Sequence, residues 1–67
     1  MNKKYYVVYC TPVQWGALYH TGEHPLKPGV LDALLAKIAR TINITNGLTL
    51  PKEAVTVTWV QRFPMNP

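Results

Sequence analysis

The sequence predicts an α+β fold of the β-α-β kind, and three patterns support this prediction. Residues 5–10 form an uninterrupted run of β-branched and aromatic residues, which is typical of a strand. Apolar residues then recur at helical spacing after Pro28, and a second strand pattern covers residues 54–63. Because a helix that connects two strands favours a parallel pair with a right-handed crossover, we expect these strands to pair in parallel.

The first strand, YYVVYC, has no polar face. Its odd-numbered side chains belong to one side of the sheet and its even-numbered side chains to the other. Both sets are apolar or aromatic, and strands of this kind are typical of sheets that are covered on both faces. We therefore expect both faces of this strand to be covered.

The connection between the first strand and the helix, residues 13–27, is long for a loop. It is rich in aromatic, glycine and histidine residues, and Thr21-Gly22-Glu23 is a turn signal. Two interpretations fit this segment. It forms either a short hairpin arm over residues 14–20 or an aromatic loop folded over a pocket.

The helix is predicted over residues 28–43. Pro28 suits the first position, where the N–H that proline lacks would have no helical partner. Asp32 is expected in the first turn, where the helix dipole favours an anion. Asn46 or Gly47 is the expected left-handed cap. The apolar stripe of the helix consists of Leu31, Leu34, Leu35, Ile38 and Ile42.

The second strand alternates between two sets of side chains. One set is Val55, Val57, Trp59 and Phe63, and the opposite set is Thr56, Thr58, Val60 and Arg62. One helix covers only one face of a two-stranded sheet, and such a sheet is too small to be stable alone. We therefore expect oligomerisation to complete the sheet.

Chain length and composition also favour a partner. Sixty-seven residues form a single domain, residues 1–67, which buries only about 60% of its unfolded surface. The single cysteine excludes an internal disulfide, and no zinc-finger spacing is present. Charged residues are 15% of the chain, against an average of about 25%, so part of the surface is expected to lie in an interface. A homo-oligomer is the first partner that we predict.

No targeting or membrane segment is expected. The apolar run after Lys3 and Lys4 is too short for a signal peptide, and no run approaches the roughly 18 apolar residues of a membrane span. We therefore predict a cytoplasmic protein without membrane contact, in which Cys10 is a free thiol. The net charge of +4 reflects scarce acidic residues rather than a basic cluster, so nucleic acid is a less favoured partner.

Four features of residues 31–64 follow one another in an order that a known family shares. They are the alanine-rich helix LDALLAKIARTI, the turn Asn46-Gly47-Leu48, the segment PKEAVTV and the closing RFP. In this order they resemble the 4-oxalocrotonate tautomerase family. The resemblance implies a short β-α-β protomer that assembles into dimers, trimers or hexamers.

The chain departs from this family where the family's chemistry lies. The family's base is an amino-terminal proline with a lowered pKa, whereas this sequence has Met1 and Asn2, and its nearest proline is Pro12. The family's arginine on the second strand corresponds to Thr56, which cannot bind a carboxylate in a bidentate manner. The resemblance therefore implies altered, weak or no tautomerase activity.

The candidate catalytic residues are His20, His24, Cys10 and Arg62, which form no complete catalytic set. A histidine with a pKa near ~6.5 is suited to act as a general base, and Glu23 would orient it. Cys10 would need a lowered pKa and a nearby base, so a buried inert thiol is the simpler interpretation. Because no spacing fixes the geometry of a zinc site made by Cys10 and the two histidines, we predict neither metal nor cofactor.

The candidate interaction surface consists of Trp15, Tyr19, Trp59 and Arg62, because Trp, Tyr and Arg dominate protein interfaces. For Trp59 and the tyrosines of the first strand, core or oligomer packing is the role that we favour, whereas Trp15 and Tyr19 are freer to form a contact surface. Two functions fit, and the sequence leaves open whether the chain is an enzyme. One is a tautomerase-like oligomer with little or no catalysis. The other is a small basic protein-interaction module, of the kind that phages and mobile elements use to inhibit a host protein. Nucleic-acid binding ranks third.

Overall fold

The computed structural model describes residues 3–63. These residues form three strands, one long helix and one 3-10 turn. Their bounds are β1 Lys3–Cys10, β2 Trp15–Gly22, α1 Pro28–Asn46, the 3-10 turn Lys52–Ala54 and β3 Thr56–Arg62. The protein is therefore α+β, as predicted, with one strand more than a β-α-β unit has. Within these residues no helix is long and apolar enough to cross a membrane.

The three strands form an antiparallel sheet in the order β2-β1-β3. β1 pairs along its whole length with β2, from Lys3 opposite Gly22 to Cys10 opposite Trp15, and pairs with β3 on its other side. The predicted parallel pairing of the first and last strands is wrong, because β2 reverses the chain before α1 begins. Since β2 and β3 both run opposite to β1, they are parallel to each other. α1 is the crossover that connects β2 to β3, and β1 lies between these two strands in the sheet.

Residues 13–27 contain the second strand of a hairpin rather than an aromatic loop over a pocket. β2 is longer than the predicted arm at residues 14–20, and its side chains alternate strictly between exposed and half-buried. Glycine is required at position 16, because the phenol ring of Tyr9 on the neighbouring strand occupies the space that a Cβ atom would need. The hairpin therefore depends on the contact between Tyr9 and Gly16, which cannot be recognised from the sequence of either strand alone.

The turn between β1 and β2 is organised by the Thr11 side chain, which is buried although it is polar. Its hydroxyl donates to the carbonyl oxygen of Gln14 at 2.9 Å and accepts from the N–H groups of Gln14 and Val13 at 3.1 and 3.3 Å. The backbone N–H of Thr11 donates to the same Gln14 carbonyl oxygen at 2.9 Å. One hydroxyl therefore satisfies three backbone groups of the turn.

Thr11→Val is expected to lower the free energy of unfolding by about 1–3 kcal/mol, because it keeps the side-chain shape and removes the hydroxyl. Thr11→Ser keeps the hydroxyl and removes one methyl group, which is expected to cost about 0.8 kcal/mol. Urea denaturation followed by circular dichroism measures both values. If the serine variant is as unstable as the valine variant, the hydrogen bonds of the hydroxyl do not stabilise the turn.

α1 covers one face of the sheet and supplies most of the core. It extends from Pro28 to Asn46, three residues beyond the predicted end, and Gly47 takes the expected left-handed cap with φ 66°. Leu34, Ile38 and Ile42 of the predicted stripe are buried, together with Ala39. They form one cluster with Tyr5 and Val7 of β1 and with Val55, which precedes β3.

Asp32 connects α1 to the segment that precedes β3. It lies beyond the first helical turn, which contains no acidic residue, so the predicted interaction with the helix N-terminus is not made. Its carboxylate instead pairs with the Lys52 ammonium of the 3-10 turn. The hydrogen bond and the charge of Asp32 raise the pKa of Lys52 above its ordinary value. The Asp32 side chain is exposed and that of Lys52 is partly exposed, so solvent screens this ion pair and it contributes little to stability.

A bulge in β3 changes the predicted faces of that strand. Val8 of β1 is opposite Trp59, but the next residue of β1, Tyr9, is opposite Val57, so Thr58 is an extra residue in β3. Val57 and Val60 therefore both pack on the core, while Trp59 lies on the opposite face. The prediction that Val57 and Trp59 share a face is wrong because it assumed uninterrupted alternation.

Candidate functional site

The face of the sheet turned away from α1 is uncovered, and we call it the open face. The first strand was expected to be covered on both sides, whereas within the described chain only the α1 side is covered. The alternation of burial in β2 and the pairing of the three strands define the residues of the open face. They are Lys4, Tyr6, Val8, Cys10, Trp15, Ala17, Tyr19, Thr21, Thr56, Trp59, Gln61 and Phe63.

Aromatic side chains dominate the open face. Trp15 is 68% exposed, Tyr19 59% and Trp59 58%, so none of the three contributes to the core of this chain. The Tyr19 ring packs against Tyr6 at 5.5 Å between centroids and, edge to face, against Phe63 at 5.4 Å. These pairs hold Tyr19 in place despite its exposure. The prediction that Trp59 packs in the core of this chain is therefore wrong, because its side chain lies on the face of the sheet that α1 does not cover.

A single cation accompanies these rings. The Lys4 ammonium lies 4.8 Å from the Tyr19 ring centroid and 5.7 Å from that of Phe63, within the range of a cation–π interaction. No acidic residue lies in any of the three strands. Of the three acidic residues in the chain, two form ion pairs elsewhere: Glu23 with Lys27, and Asp32 with Lys52. The open face is therefore aromatic, weakly positive and without a carboxylate.

The other notable site is a cleft of about 610 Å³ on the α1 side, at the end of the sheet where β1 begins. We call it the basic cleft. Its lining residues come from both ends of the chain and from the loop before α1. They are Lys3, Tyr5, Gly22, Glu23, His24, Lys27 and Arg62.

The two histidines lie beside Tyr5, and of the two only His24 lines this cleft. Their rings are 6.2 Å (His20) and 5.1 Å (His24) from the Tyr5 ring, and the phenol ring of Tyr5 is almost completely buried. His20 Nε2 lies 2.9 Å from the backbone carbonyl oxygen of Glu23, whereas the Glu23 carboxylate pairs with Lys27. Glu23 therefore contacts His20 through its backbone carbonyl oxygen and not through its carboxylate.

The predicted site residues divide into three groups. Trp15, Tyr19 and Trp59 lie on the open face. His24 and Arg62 line the basic cleft, and His20 lies next to them beside Tyr5 without lining it. Arg62 therefore does not belong to the same surface as the three aromatic residues. Cys10 is half-buried at the far end of β1. It lies five positions after Tyr5, so at about 3.4 Å per residue the Cα atoms of the two residues are about 17 Å apart. The structure thus keeps the Cys10 thiol away from the histidines and does not assemble Cys10, His20 and His24 into a three-ligand set.

Several residues of both sites had not been singled out as site residues from the sequence. Tyr6, Phe63 and Lys4 join the open face through strand pairing, and Lys3, Tyr5 and Lys27 join the basic cleft through the hairpin and the loop before α1. No family model matches the chain, and searches of the curated proteins and of the solved structures find no match. The open face and the basic cleft are therefore the features that bear on function.

Proposed function

We propose that this chain is a small protein-interaction module and that the open face is its contact surface. The observation that carries the proposal is the exposure of Trp15, Tyr19 and Trp59 on one side of the sheet. Protein interfaces are enriched in Trp and Tyr at their energetic centres, and charged residues are depleted there. The open face has this composition, with Lys4 as the one charged residue among the described residues that form it.

An enzymatic function has less support. Cys10 and the histidines lie at opposite ends of β1, and Thr56 takes the place of the tautomerase family's arginine. The antiparallel pairing of β1 with β3 also differs from the parallel pair that the tautomerase resemblance implies. Met1, whose amine would have to replace the family's proline, lies outside the described residues.

The partner that best fits the open face is a protein surface that combines apolar side chains with a carboxylate. The Lys4 ammonium has two aromatic neighbours and no acidic partner among the described residues, so a carboxylate would complement it. A second copy fits less well, because each copy has a net charge of +4 and would bring its own Lys4 to the interface. Binding to the phosphate backbone of a nucleic acid would need several cations on the protein, and the described residues of this face offer one, Lys4.

The proposal is tested by capturing partners from a bacterial lysate and then measuring affinity with the purified partner. The variant Tyr19→Ala/Trp59→Ala removes two exposed rings, and Ile44→Ala, a 77%-exposed apolar residue on α1, is the matched control. We expect binding to weaken about a hundredfold or more in the double variant and to be unchanged in the control. Lys4→Glu should weaken binding more than Lys4→Gln if the partner is acidic.

Three results would overturn this assignment. A partner that binds the double variant and the wild type equally would show that the open face is not the contact surface. A concentration-dependent dimer in sedimentation velocity, abolished by the double variant, would identify a second copy as the occupant. Recovery of nucleic acid with steeply salt-dependent affinity would identify the third-ranked function instead.

A further inference from the structure

We propose that the basic cleft is a binding site for a phosphate group, either free phosphate or the phosphate of a small phosphomonoester. The cleft lies on the α1 side of the sheet, so it is distinct from the open face and independent of the proposed function. Three cations line it, Lys3, Lys27 and Arg62, against one carboxylate, Glu23. Three positive charges and one negative charge leave the lining with a net charge of +2.

Arg62 is the central residue of this proposal. It lies near the end of β3 opposite Tyr5 and makes no ion pair with any residue in the described part of the chain. Its guanidinium offers several N–H donors in a planar arrangement that matches two oxygens of a phosphate. Lys3, at the start of β1, likewise has no carboxylate partner among residues 3–63. Two cations without an ion-pair partner in the described part of the chain therefore border the same cleft.

His24 adds a donor to the same lining. Its Nδ1 accepts a hydrogen bond from the Leu26 N–H at 3.1 Å, which places the proton of the neutral ring on Nε2. The ring also packs edge to face against the buried ring of Tyr5 at 5.1 Å, which restricts its orientation. His24 is therefore held in the tautomer that donates from the nitrogen not used in the loop.

Size and charge together favour a small dianionic group. A cleft of about 610 Å³ lies within the range of small-molecule sites, roughly 300–1,000 Å³. A carboxylate would be satisfied by Arg62 alone, whereas a phosphate has enough charge and acceptor oxygens to engage Arg62, Lys3 and His24 together. The salt bridge between Lys27 and Glu23 compensates the one carboxylate of the lining, so Lys3 and Arg62 supply its remaining positive charge.

Nuclear magnetic resonance titration with inorganic phosphate tests the site, with ionic strength held constant by chloride. We expect saturable shifts of the amide signals of Gly22, Glu23 and His24. Arg62→Gln should weaken the affinity about tenfold, because it removes a charge-assisted interaction of Arg62. Arg40→Gln, at an exposed arginine of α1, is the matched control and should leave the affinity unchanged. Lys3→Gln should also weaken the affinity for phosphate. It serves as the test variant if Arg62→Gln fails to fold.

A parallel titration with glycerol 3-phosphate separates the two sources of the group. Tighter binding of the ester than of phosphate would identify a phosphorylated small molecule as the ligand class, and equal or weaker binding would identify free phosphate. Shifts that do not saturate, or that spread equally to Lys37 and Arg40, would overturn the proposal. Equal phosphate affinity of the wild type and a folded Arg62→Gln variant would overturn it as well.

Discussion

Ile38→Ala is expected to remove about 2–5 kcal/mol of folding stability. Ile38 is 2% exposed and belongs to a core cluster of seven buried residues in the described part of the chain. For a chain of 67 residues the total free energy of unfolding is expected to be about 3–10 kcal/mol. The substitution should therefore remove a large share of the stability, because the small core has few other side chains that can fill the cavity.

The same helix provides a control of the same residue type. Ile44 is 77% exposed, so Ile44→Ala is expected to change stability by less than about 0.5 kcal/mol. Urea denaturation followed by circular dichroism of both variants separates loss of core packing from loss of helix propensity or β-branching. Similar midpoints for the two variants would contradict the assignment of Ile38 to the core.

The sequence was most informative where a pattern is local. The helical repeat through Leu34, Ile38 and Ile42 identified both α1 and its buried side, since a period near 3.6 requires no knowledge of the partner element. A left-handed cap at Asn46 or Gly47 was predicted for the same reason, because this conformation is a property of one residue, and Gly47 adopts it. The run at residues 5–10 likewise identified β1, although the strand begins two residues earlier, at Lys3.

Strand order could not be predicted from local patterns. β2 contains Gly16 and ends at Gly22, and glycines weaken a strand signal. Gly16 becomes understandable only once Tyr9 lies opposite it, and that contact joins two separate strands. Without β2, the crossover helix seemed to connect neighbouring parallel strands. With β2 present, the helix connects strands that flank β1.

The two surfaces were predictable to different extents. The sequence identified Trp15, Tyr19 and Trp59 as contact residues from their type, and all three lie on the open face. The bulge at Thr58 decides that Trp59 joins this face, and one extra residue in a strand leaves no periodic signal. The basic cleft combines Lys3 with Arg62, 59 positions apart in the chain, so only the folded sheet brings them together.

Asn43→Ala is expected to destabilise the protein by about 2–3 kcal/mol, because one side chain makes two hydrogen bonds to the segment that leads from α1 to β3. The Asn43 amide nitrogen donates to the Leu50 carbonyl oxygen at 2.9 Å, and its Oδ1 accepts from the Leu50 N–H at 2.8 Å. Both bonds are partly buried, so water replaces them poorly after truncation. Asn43 therefore fixes the chain seven residues beyond itself.

Asn43→Asp tests the two bonds separately, because an ionised carboxylate still accepts from the Leu50 N–H but cannot donate to its carbonyl oxygen. A negative charge in the last turn of α1 is also unfavourable to the helix dipole. Protonation of the introduced carboxyl restores a donor and removes the charge, so its pKa should be higher in the folded state than the unfolded value near ~3.9. A group of this kind stabilises the fold at low pH and loses that contribution as the pH rises through its folded pKa.

The stability difference between wild type and Asn43→Asp, measured by urea denaturation from pH 3 to pH 7, should therefore be smallest at the acidic end. A difference that is constant with pH would show that the amide's donor bond to Leu50 does not stabilise the segment.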